Sequence, residues 1–230
     1  MLRCKALVLQ LGSFSLCADV SFAQGQATAL IGPSGAGKST LLAAIAGFLM
    51  PASGQLMWDD NDLMGTAPGT RPISMLFQDN NLFPHLSAAQ NVGLGLRPNL
   101  RLDRGDEAKV AAALADVGLD GFADRRPAAL SGGQQSRVAL ARVLVANRPI
   151  VLLDEPFEAL GPALKDDMLD LVKSKLVAAG KTVIMVTHDP ANARRIADMA
   201  AVVAEGEVTA PVATDALFDK PPAALKAYLG

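Results

Sequence analysis

A glycine-rich segment near the N-terminus carries the residues whose types and spacing best suit chemistry. In chain order it reads Gly32, Pro33, Ser34, Gly35, Ala36, Gly37, Lys38, Ser39 and Thr40. The segment matches the pattern G-x-x-x-x-G-K-[ST], after an apolar run and before a helical one. Glycines let backbone N–H groups turn inward as an anion nest at a helix N-terminus. Lys38 adds a charge for β- and γ-phosphates, and the Ser39 hydroxyl can bind Mg²⁺. The segment predicts a nucleoside triphosphate site; the alternative is a glycine-rich turn without a ligand.

Two adjacent carboxylates, Asp154 and Glu155, end an unbroken apolar run at residues 150–153. Neighbouring carboxylates repel each other unless a cation or proton chemistry occupies the site. Asp154 suits Mg²⁺ binding, through water. Glu155 suits the polarisation of an attacking water molecule. Alone the pair is ambiguous, but together with the glycine-rich segment it predicts a hydrolytic site.

Two further apolar runs also end in a polar side chain. Residues 73–77 lead to Gln78, and residues 182–187 lead to His188. Runs of this kind, with 27–31 and 150–153, are typical of buried parallel strands, whose carboxyl ends form the ligand crevice of open α/β sheets. Gln78 could bind Mg²⁺ through its amide oxygen or donate to water through its amide N–H, and His188 could reach a γ-phosphate. The plainer alternatives are an ordinary strand-end amide and a histidine before an Asp-Pro turn.

A second glycine-bearing string begins a predicted helix farther along the chain. It reads Leu130, Ser131, Gly132, Gly133, Gln134 and Gln135. Ser131 and Gln134 have the spacing of a capping box. A cap alone does not need two glycines, which weaken the first turn. The glycines would let a second phosphate group approach the backbone.

These parts, in this order, resemble the ATP-binding subunits of ABC transporters along nearly the whole chain. The resemblance implies an α/β fold: a P-loop NTPase (RecA-like) core with a mostly parallel sheet, antiparallel β hairpins near the N-terminus and an inserted helical subdomain. It implies one domain over 1–230, with a nucleotide-binding core at 1–83 and 146–230. The helical subdomain that carries the signature string would span 84–145, and residues 107–117 give it one clear helix.

The resemblance also implies a role for each candidate residue. Glu155 would be the catalytic base, His188 would contact the γ-phosphate, and Gln78 would join Mg²⁺ and water to a membrane partner. The cofactors would be ATP and Mg²⁺, the latter held by Ser39, Gln78 and Asp154. The signature residues Ser131, Gly132, Gly133 and Gln134 would face ATP held by a second copy, in a head-to-tail homodimer.

Three stretches, at residues 46–54, 71–83 and 90–96, are similar to the ATPases of bacterial thiamine importers. By that resemblance the partners are integral-membrane permease subunits and, indirectly, a periplasmic solute-binding protein. The subunit would lie peripherally at the cytoplasmic face of the bacterial inner membrane, docking near residues 81–86. Importers of iron(III), molybdate or polyamines share much of the pattern and remain alternatives.

Other classes of P-loop protein fit the sequence less well. A GTPase should carry an N/T-K-x-D guanine motif, and ABC proteins that act on DNA or ribosomes usually carry long insertions or tandem cassettes; neither feature occurs. The net charge of −2 predicts no general attraction to nucleic acid. Residues 3–9 start like a signal peptide, but polar residues interrupt the run, and we expect a folded N-terminus.

Two positions depart from the family pattern. The loop after the catalytic glutamate normally ends in aspartate, whereas this chain has Gly161, with Glu158 as a possible replacement carboxylate. The aromatic residue that normally stacks on adenine is missing: Leu11 lies nearest the expected position, and Phe14 could substitute. We also expect Cys4 and Cys17 to be two buried free thiols; the alternative is a disulfide between them.

Overall fold

The computed structural model describes residues 1–229. Its strands are β1 (Leu2–Leu11), β2 (Phe14–Phe22), β3 (Ala27–Ile31), β4 (Ser53–Trp58), β5 (Asn61–Asp62), β6 (Ile73–Leu76), β7 (Ile150–Asp154), β8 (Thr182–Val186), β9 (Met199–Ala204), β10 (Glu207–Val208) and β11 (Val212–Ala213). Its α-helices are α1 (Lys38–Ala46), α2 (Ala88–Gly93), α3 (Arg104–Asp116), α4 (Gly132–Ala146), α5 (Pro162–Val172), α6 (Pro190–Ile196), α7 (Thr214–Asp219) and α8 (Ala223–Leu229). Short helical turns occur at Pro68–Thr70, Pro127–Ala129 and Lys173–Val177.

The strands form one curled sheet in the order β5-β4-β1-β2-β10-β9-β3-β8-β7-β6, with β11 pairing with β9. The segment β9-β3-β8-β7-β6 is parallel. The four apolar runs read from the sequence are β3, β6, β7 and β8, and they lie side by side. Their polar endings therefore meet at one edge, as predicted. The antiparallel β1–β2 and β4–β5 hairpins confirm the expected N-terminal arrangement.

The parallel strands are apolar on both faces because each face covers its own core. Along β7, Ile150 and Leu152 face one core, whereas Val151 and Leu153 face the other. This alternation follows from the two-residue period of a strand. The first core includes α1 and the antiparallel strands, and the second includes α3, α4 and α5. The sheet is thereby held rigidly between two packed layers.

Helix α1 begins within the glycine-rich segment and is buried on most of its surface. Leu41, Leu42 and Ile45 are fully buried in the core shared with β1, β2 and β4. A helix packed on several sides is apolar all round rather than amphipathic. Packing of this kind fixes the position of the helix N-terminus.

The elements between β6 and β7 are helical. They comprise α2, α3 and α4, which pack on one another. The helix predicted at residues 107–117 is α3, and it starts earlier than predicted because the Asp103 carboxylate accepts from the Asp106 N–H at 2.9 Å. An aspartate N-cap of this kind satisfies a backbone donor that the helix leaves free.

The cysteine prediction is half wrong. Both thiols are free, and Cys4 is buried, but Cys17 is exposed. On β2 the odd positions from Ser15 to Ser21 face outward while the even ones face the core. Cys17 falls on the outward face. Burial raises the pKa of the Cys4 thiol to about 12, so this thiol is unreactive at neutral pH.

Candidate functional site

The glycine-rich loop between β3 and α1 is shaped by close backbone contacts. A Cβ atom at Gly32 would lie 1.9 Å from the Val203 carbonyl oxygen, so no side chain fits there. Gly37 has a φ of 99°, and a Cβ there would lie 2.5 Å from the Phe14 ring. Only glycine meets both demands without strain. A larger residue at Gly32 or Gly37 would therefore force the loop to move.

Lys38 is folded back into the loop. Its Nζ donates hydrogen bonds of 2.8 Å to the carbonyl oxygens of both Gly32 and Pro33. Burial lowers the pKa of Lys38, and the negative charges of Glu155 and Asp154 act in the opposite direction. The ammonium group is thus held against the loop backbone, and its charge can be shared with an incoming phosphate.

Ser39 and Asp154 meet across the end of the sheet. The Ser39 hydroxyl donates to Asp154 Oδ1 at 2.8 Å. Burial and the neighbouring Glu155 raise the pKa of Asp154, whereas the Ser39 hydrogen bond and Lys38 lower it. A divalent cation at this point would relieve the cost of keeping the carboxylate charged. A hydroxyl and a carboxylate beside the Gln78 amide form an all-oxygen donor set that fits Mg²⁺.

Glu155 stands on a strained turn. Its φ is 42° and that of Phe157, two residues later, is 73°. Positive φ in a bulky non-glycine residue is uncommon and occurs preferentially at functional sites. The Glu155 N–H is held by the Val186 carbonyl at 3.2 Å, which ties the turn to β8. The strained backbone presents the Glu155 side chain to the cleft beside the loop.

This cleft has a volume of about 370 Å³. It is lined by Leu11, Phe14, Ser34, Gly35, Gly37, Lys38, Ser39, Thr40, Gln78 and Glu155. The structure thus brings together most of the predicted loop, the Gln78 amide and the carboxylate of Glu155. Cavities with a few convergent polar groups beside titratable side chains are the usual sites of ligands.

Leu11 and Phe14 contribute apolar side chains to the lining of the cleft. They are cross-strand partners at the end of the β1–β2 hairpin. The Phe14 ring lies against the loop at Gly37, while Leu11 is 47 % exposed. An aromatic ring is therefore present in the cleft, but the exposed position is occupied by leucine, which cannot stack on a base.

Replacing Leu11 with tyrosine is expected to tighten nucleotide binding. Stacking of a base on an aromatic side chain is worth about 1–3 kcal/mol, so the dissociation constant for ATP should fall by at least about fivefold. Calorimetric titration of ATP measures the change, with Leu11→Met as a control of similar size that cannot stack. Equal affinities in the native chain and the tyrosine variant would show that Leu11 does not border the base.

The signature string begins α4 as a capped helix. The Ser131 hydroxyl accepts from the Gln134 N–H at 3.3 Å, and the Gln134 amide oxygen accepts from the Ser131 N–H at 3.0 Å. Gly133 lies beside Leu164 of α5. Within residues 1–229, none of the residues that line the loop cleft belongs to the string. Within one chain, the signature string therefore does not line the cleft beside the glycine-rich loop.

His188 lies between two carboxylates. Its Nδ1 is 3.9 Å from Glu155 Oε1, and its Nε2 is 3.5 Å from Glu158 Oε2. The other oxygen of Glu158 accepts a hydrogen bond of 2.9 Å from Lys165 Nζ. The sequence suggested Glu158 as a replacement carboxylate, but it held no signal for Lys165.

Gly161 occupies the N-cap position of α5 without a side-chain cap. Its φ of −63° is open to any residue, and a Cβ there would meet nothing within 4 Å. Gly161→Asp should therefore fold, gain a few tenths of a kcal/mol as a cap, and raise the cooperativity of ATP hydrolysis. The ATP dependence of the rate measures cooperativity, and Gly161→Asn supplies the same cap without charge. Unchanged rate and cooperativity in the aspartate variant would show that Gly161 does not weaken the coupling between the two ATP sites.

Two arginines with positioning roles were missed by sequence reasoning. Arg142 on α4 donates bonds of 2.8 Å to the carbonyl oxygens of Asn80 and Asn81, just after Gln78. Arg71 donates to the last carbonyls of α1. Both contacts join residues far apart in the chain, so no local pattern predicts them.

Comparison with known proteins gives a consistent match. Residues 17–158 match the family model described as ABC transporter. The chain is 56% identical over 230 residues, all of both chains, to a protein of Cereibacter sphaeroides named Thiamine import ATP-binding protein ThiQ. It is 53% identical over 195 residues to the Escherichia coli protein of that name, covering 85% of this chain and 84% of the relative.

Solved structures of ATP-binding cassettes share the fold. A dimeric post-hydrolysis state of the cassette MJ0796, bound to ADP and Pi, superimposes with a TM-score of 0.81 at 32% identity, covering 93% of this chain and 99% of that one. The ADP conformation of the ABC transporter cassette MJ1267 gives a TM-score of 0.89 at 25% identity, covering 100% and 98%. Within residues 1–229, no helix has the length and apolarity needed to cross a bilayer.

Proposed function

Because this chain belongs to the ABC transporter family, we propose that it is the ATP-hydrolysing subunit of an importer and that the imported solute is thiamine. One observation carries the hydrolytic part of the proposal: the cleft that unites the phosphate loop with Gln78 and Glu155. The names of relatives at 50–56% identity support the solute. The chain itself has no role in contacting the solute, since its cleft is built for a nucleotide.

Residues that line the cleft or adjoin it have separate roles in phosphoryl transfer. The loop N–H groups and Lys38 neutralise phosphate charge, which is the main demand of this reaction. Ser39, Asp154 and Gln78 would hold Mg²⁺, which when bound supplies positive charge to the phosphate oxygens. Glu155 accepts a proton from the attacking water, and His188 presents an N–H to the γ-phosphate.

The signature string completes the site of a second copy. Ser131, Gly132, Gly133 and Gln134 lie outside the chain's own cleft, and α4 presents N–H groups at its first turn, where phosphate binds well. The dimeric structure of a cassette 32% identical to this chain supports a homodimer. Hydrolysis then depends on closure of two chains, because neither has a complete site alone.

The permease would dock in an apolar groove near the predicted segment at residues 81–86. The groove has a volume of about 610 Å³, and its walls include Phe48, Phe77 and Phe83. Phe48 is 59 % exposed and Phe83 44 %, which is unusual for large apolar side chains and favours a covered interface. Arg142 lines the same groove and donates a hydrogen bond to the backbone just after Gln78. It therefore connects the docking groove to the segment that carries Gln78 into the ATP site.

This arrangement supports the division of the chain that the sequence suggested. Residues 1–83 and 146–230 form the nucleotide-binding core in our proposal, and 84–145 form the helical signature subdomain. The subunit would act at the cytoplasmic face of the inner membrane, and it would meet the periplasmic solute-binding protein only through the permease.

Reconstitution tests the proposed function. The chain is assembled in lipid with a thiamine permease, and ATP hydrolysis is measured with a thiamine-binding protein, loaded or empty. We expect the thiamine-loaded protein to raise the rate several-fold. Matched assays use permeases and binding proteins for iron(III), molybdate and polyamines. Stimulation in one of these assemblies and none with thiamine would overturn the solute assignment.

A further inference from the structure

The segment that joins β6 to α2 has no helix or strand of its own among the described residues. It carries Phe83, whose exposed ring lines the apolar groove. Its backbone bends sharply just before this residue, where Asn80 and Asn81 have φ values of 60° and 45°. Connecting segments are more mobile than the elements that they connect. An exposed ring on such a segment presents a fixed surface only if the backbone beneath it is held in place.

A single buried side chain holds the middle of this segment. Asn91, on α2, is fully buried, and its Oδ1 accepts a hydrogen bond of 2.8 Å from the Phe83 N–H. Its Nδ2 lies 3.1 Å from the carbonyl oxygen of Phe83, 3.2 Å from that of Leu86 and 3.0 Å from that of Ser87. Because an amide nitrogen carries two hydrogens, it shares them among these three acceptors. The Asn91 amide thus pairs with both backbone polar groups of Phe83.

Asn91 is not needed to begin its own helix. The capping box of α2 is already complete, because the side chains of Ser87 and Gln90 each accept from the other's backbone N–H. A buried amide group is costly unless it is hydrogen-bonded. The side-chain hydrogen bonds of Asn91 go to residues 83–87. The side chain therefore holds the segment before the helix rather than the helix itself.

Arg142 of α4 holds the start of the same segment through the carbonyl oxygens of Asn80 and Asn81. Arg142 and Asn91 thus lie on two different helices, and α2 and α4 pack on each other. The segment is therefore attached at two points to one helical layer. The position of the Phe83 ring is set by these helices, although the ring itself lies on an irregular connection.

We propose that Asn91 is a positioning residue for permease docking, which it supports by holding the backbone of Phe83. The inference rests on the proposed function, in which a permease covers the groove lined by Phe83. Pre-organisation of a binding surface reduces the cost of ordering it when the partner binds. Among the described residues, Asn91 is not one of those that line the ATP cleft. Its loss should therefore weaken docking without changing ATP affinity.

Binding of the full chain to a thiamine permease in lipid discs tests the proposal. Asn91→Asp keeps the size of the side chain and an acceptor for the Phe83 N–H, but it sets a carboxylate against three carbonyl oxygens. We expect the dissociation constant for the permease to rise about tenfold, the scale of a lost buried hydrogen bond, with ATP affinity unchanged. Gln90→Glu adds the same charge at an exposed position of α2 and keeps the capping box, so this control should bind as the native chain does. Native permease affinity in Asn91→Asp would overturn the proposal.

A double-mutant cycle with Phe83→Ala separates positioning from a general loss of stability. If Asn91 acts by placing the ring, Asn91→Asp should cause little further loss of permease affinity once Phe83 is alanine. Losses that multiply would show that Asn91 acts independently of Phe83 and would overturn the proposal. Asn91→Ser, a milder change that removes both amide hydrogens, supplies the same cycle if the aspartate variant does not fold.

Hydrogen exchange of the full chain tests the contact without the permease. The Phe83 N–H lies in an irregular segment, yet its bond to Asn91 should protect it, and Asn91→Ser should speed its exchange at least about tenfold. Rapid exchange in the native chain, or an unchanged rate in the variant, would refute the inference. A native chain that protects this amide but binds no thiamine permease would instead count against the proposed function.

Discussion

Glutamine in place of Glu155 is expected to lower ATP hydrolysis at least about a hundredfold while leaving ATP bound. A positioned general base contributes roughly 10²- to 10⁴-fold, and an amide cannot accept the proton from water. The side chains have the same shape, and Glu155 borders the same cleft as Lys38. Loss of its charge also reduces repulsion of phosphate, so ATP affinity should hold or increase.

Two measurements check this expectation. Phosphate release gives the rate of hydrolysis. Light scattering with ATP present gives the mass, which should be that of a dimer, because a closed dimer that does not hydrolyse ATP does not reopen. Glu107→Gln, at an exposed position on α3, is the matched control and should behave as the native chain does. Near-native turnover of Glu155→Gln would show that Glu155 is not the general base.

Methionine in place of Arg71 is expected to destabilise the fold by about 3 kcal/mol. The guanidinium is 3 % exposed and donates to the carbonyl oxygens of Ala44 and Ile45, at 2.8 and 2.6 Å, and to Thr66. Removing it leaves buried acceptors without a donor, including the C-terminal carbonyls of α1. A cation at a helix C-terminus also interacts favourably with the helix dipole.

Urea unfolding measures the loss, which corresponds to about 2–4 °C in melting temperature per kcal/mol for a domain of this size. Arg71→Lys should fall between the native chain and the methionine variant, because one ammonium group cannot reach both sets of acceptors. Exposed Arg101→Met is the control. A loss below about 1 kcal/mol for Arg71→Met would mean that water replaces the guanidinium.

Much of the architecture follows from patterns within single segments. The run at 150–153 predicts a buried strand because it is apolar without interruption, and its ending in Asp154 predicts where the chemistry lies. The phosphate loop is predicted by strict spacing, and the structure supplies the physical reason at Gly32, where the Val203 carbonyl leaves no room for a side chain.

What could not be predicted depends on register and on distant contacts. Cys17 is exposed because of its parity along β2, and a shift of one residue would have buried it. Arg142 reaches the carbonyls of Asn80 and Asn81 only because α4 packs beside β6. The pairing of Glu158 with both Lys165 and His188 likewise needs three elements in place at once.

The central claim is that each ATP site is shared between two chains, and complementation of two inactive variants tests it most directly. Lys38→Met removes charge-assisted bonds of about 1.5–3 kcal/mol to phosphate and disables the loop. Gly133→Asp puts a negative charge in the signature string; the new Cβ would lie 3.4 Å from Leu164, an ordinary contact, so the chain should fold. Each variant alone should be inactive.

In an equal mixture, half of the dimers combine the two variants. Each mixed dimer has one site made from an intact loop and an intact signature, so ATP hydrolysis should recover to about a quarter of the native rate. Phosphate release from the mixture, compared with each variant alone, gives the answer. Recovered hydrolysis supports the shared site; a mixture as inactive as its two folded, dimeric components would contradict it.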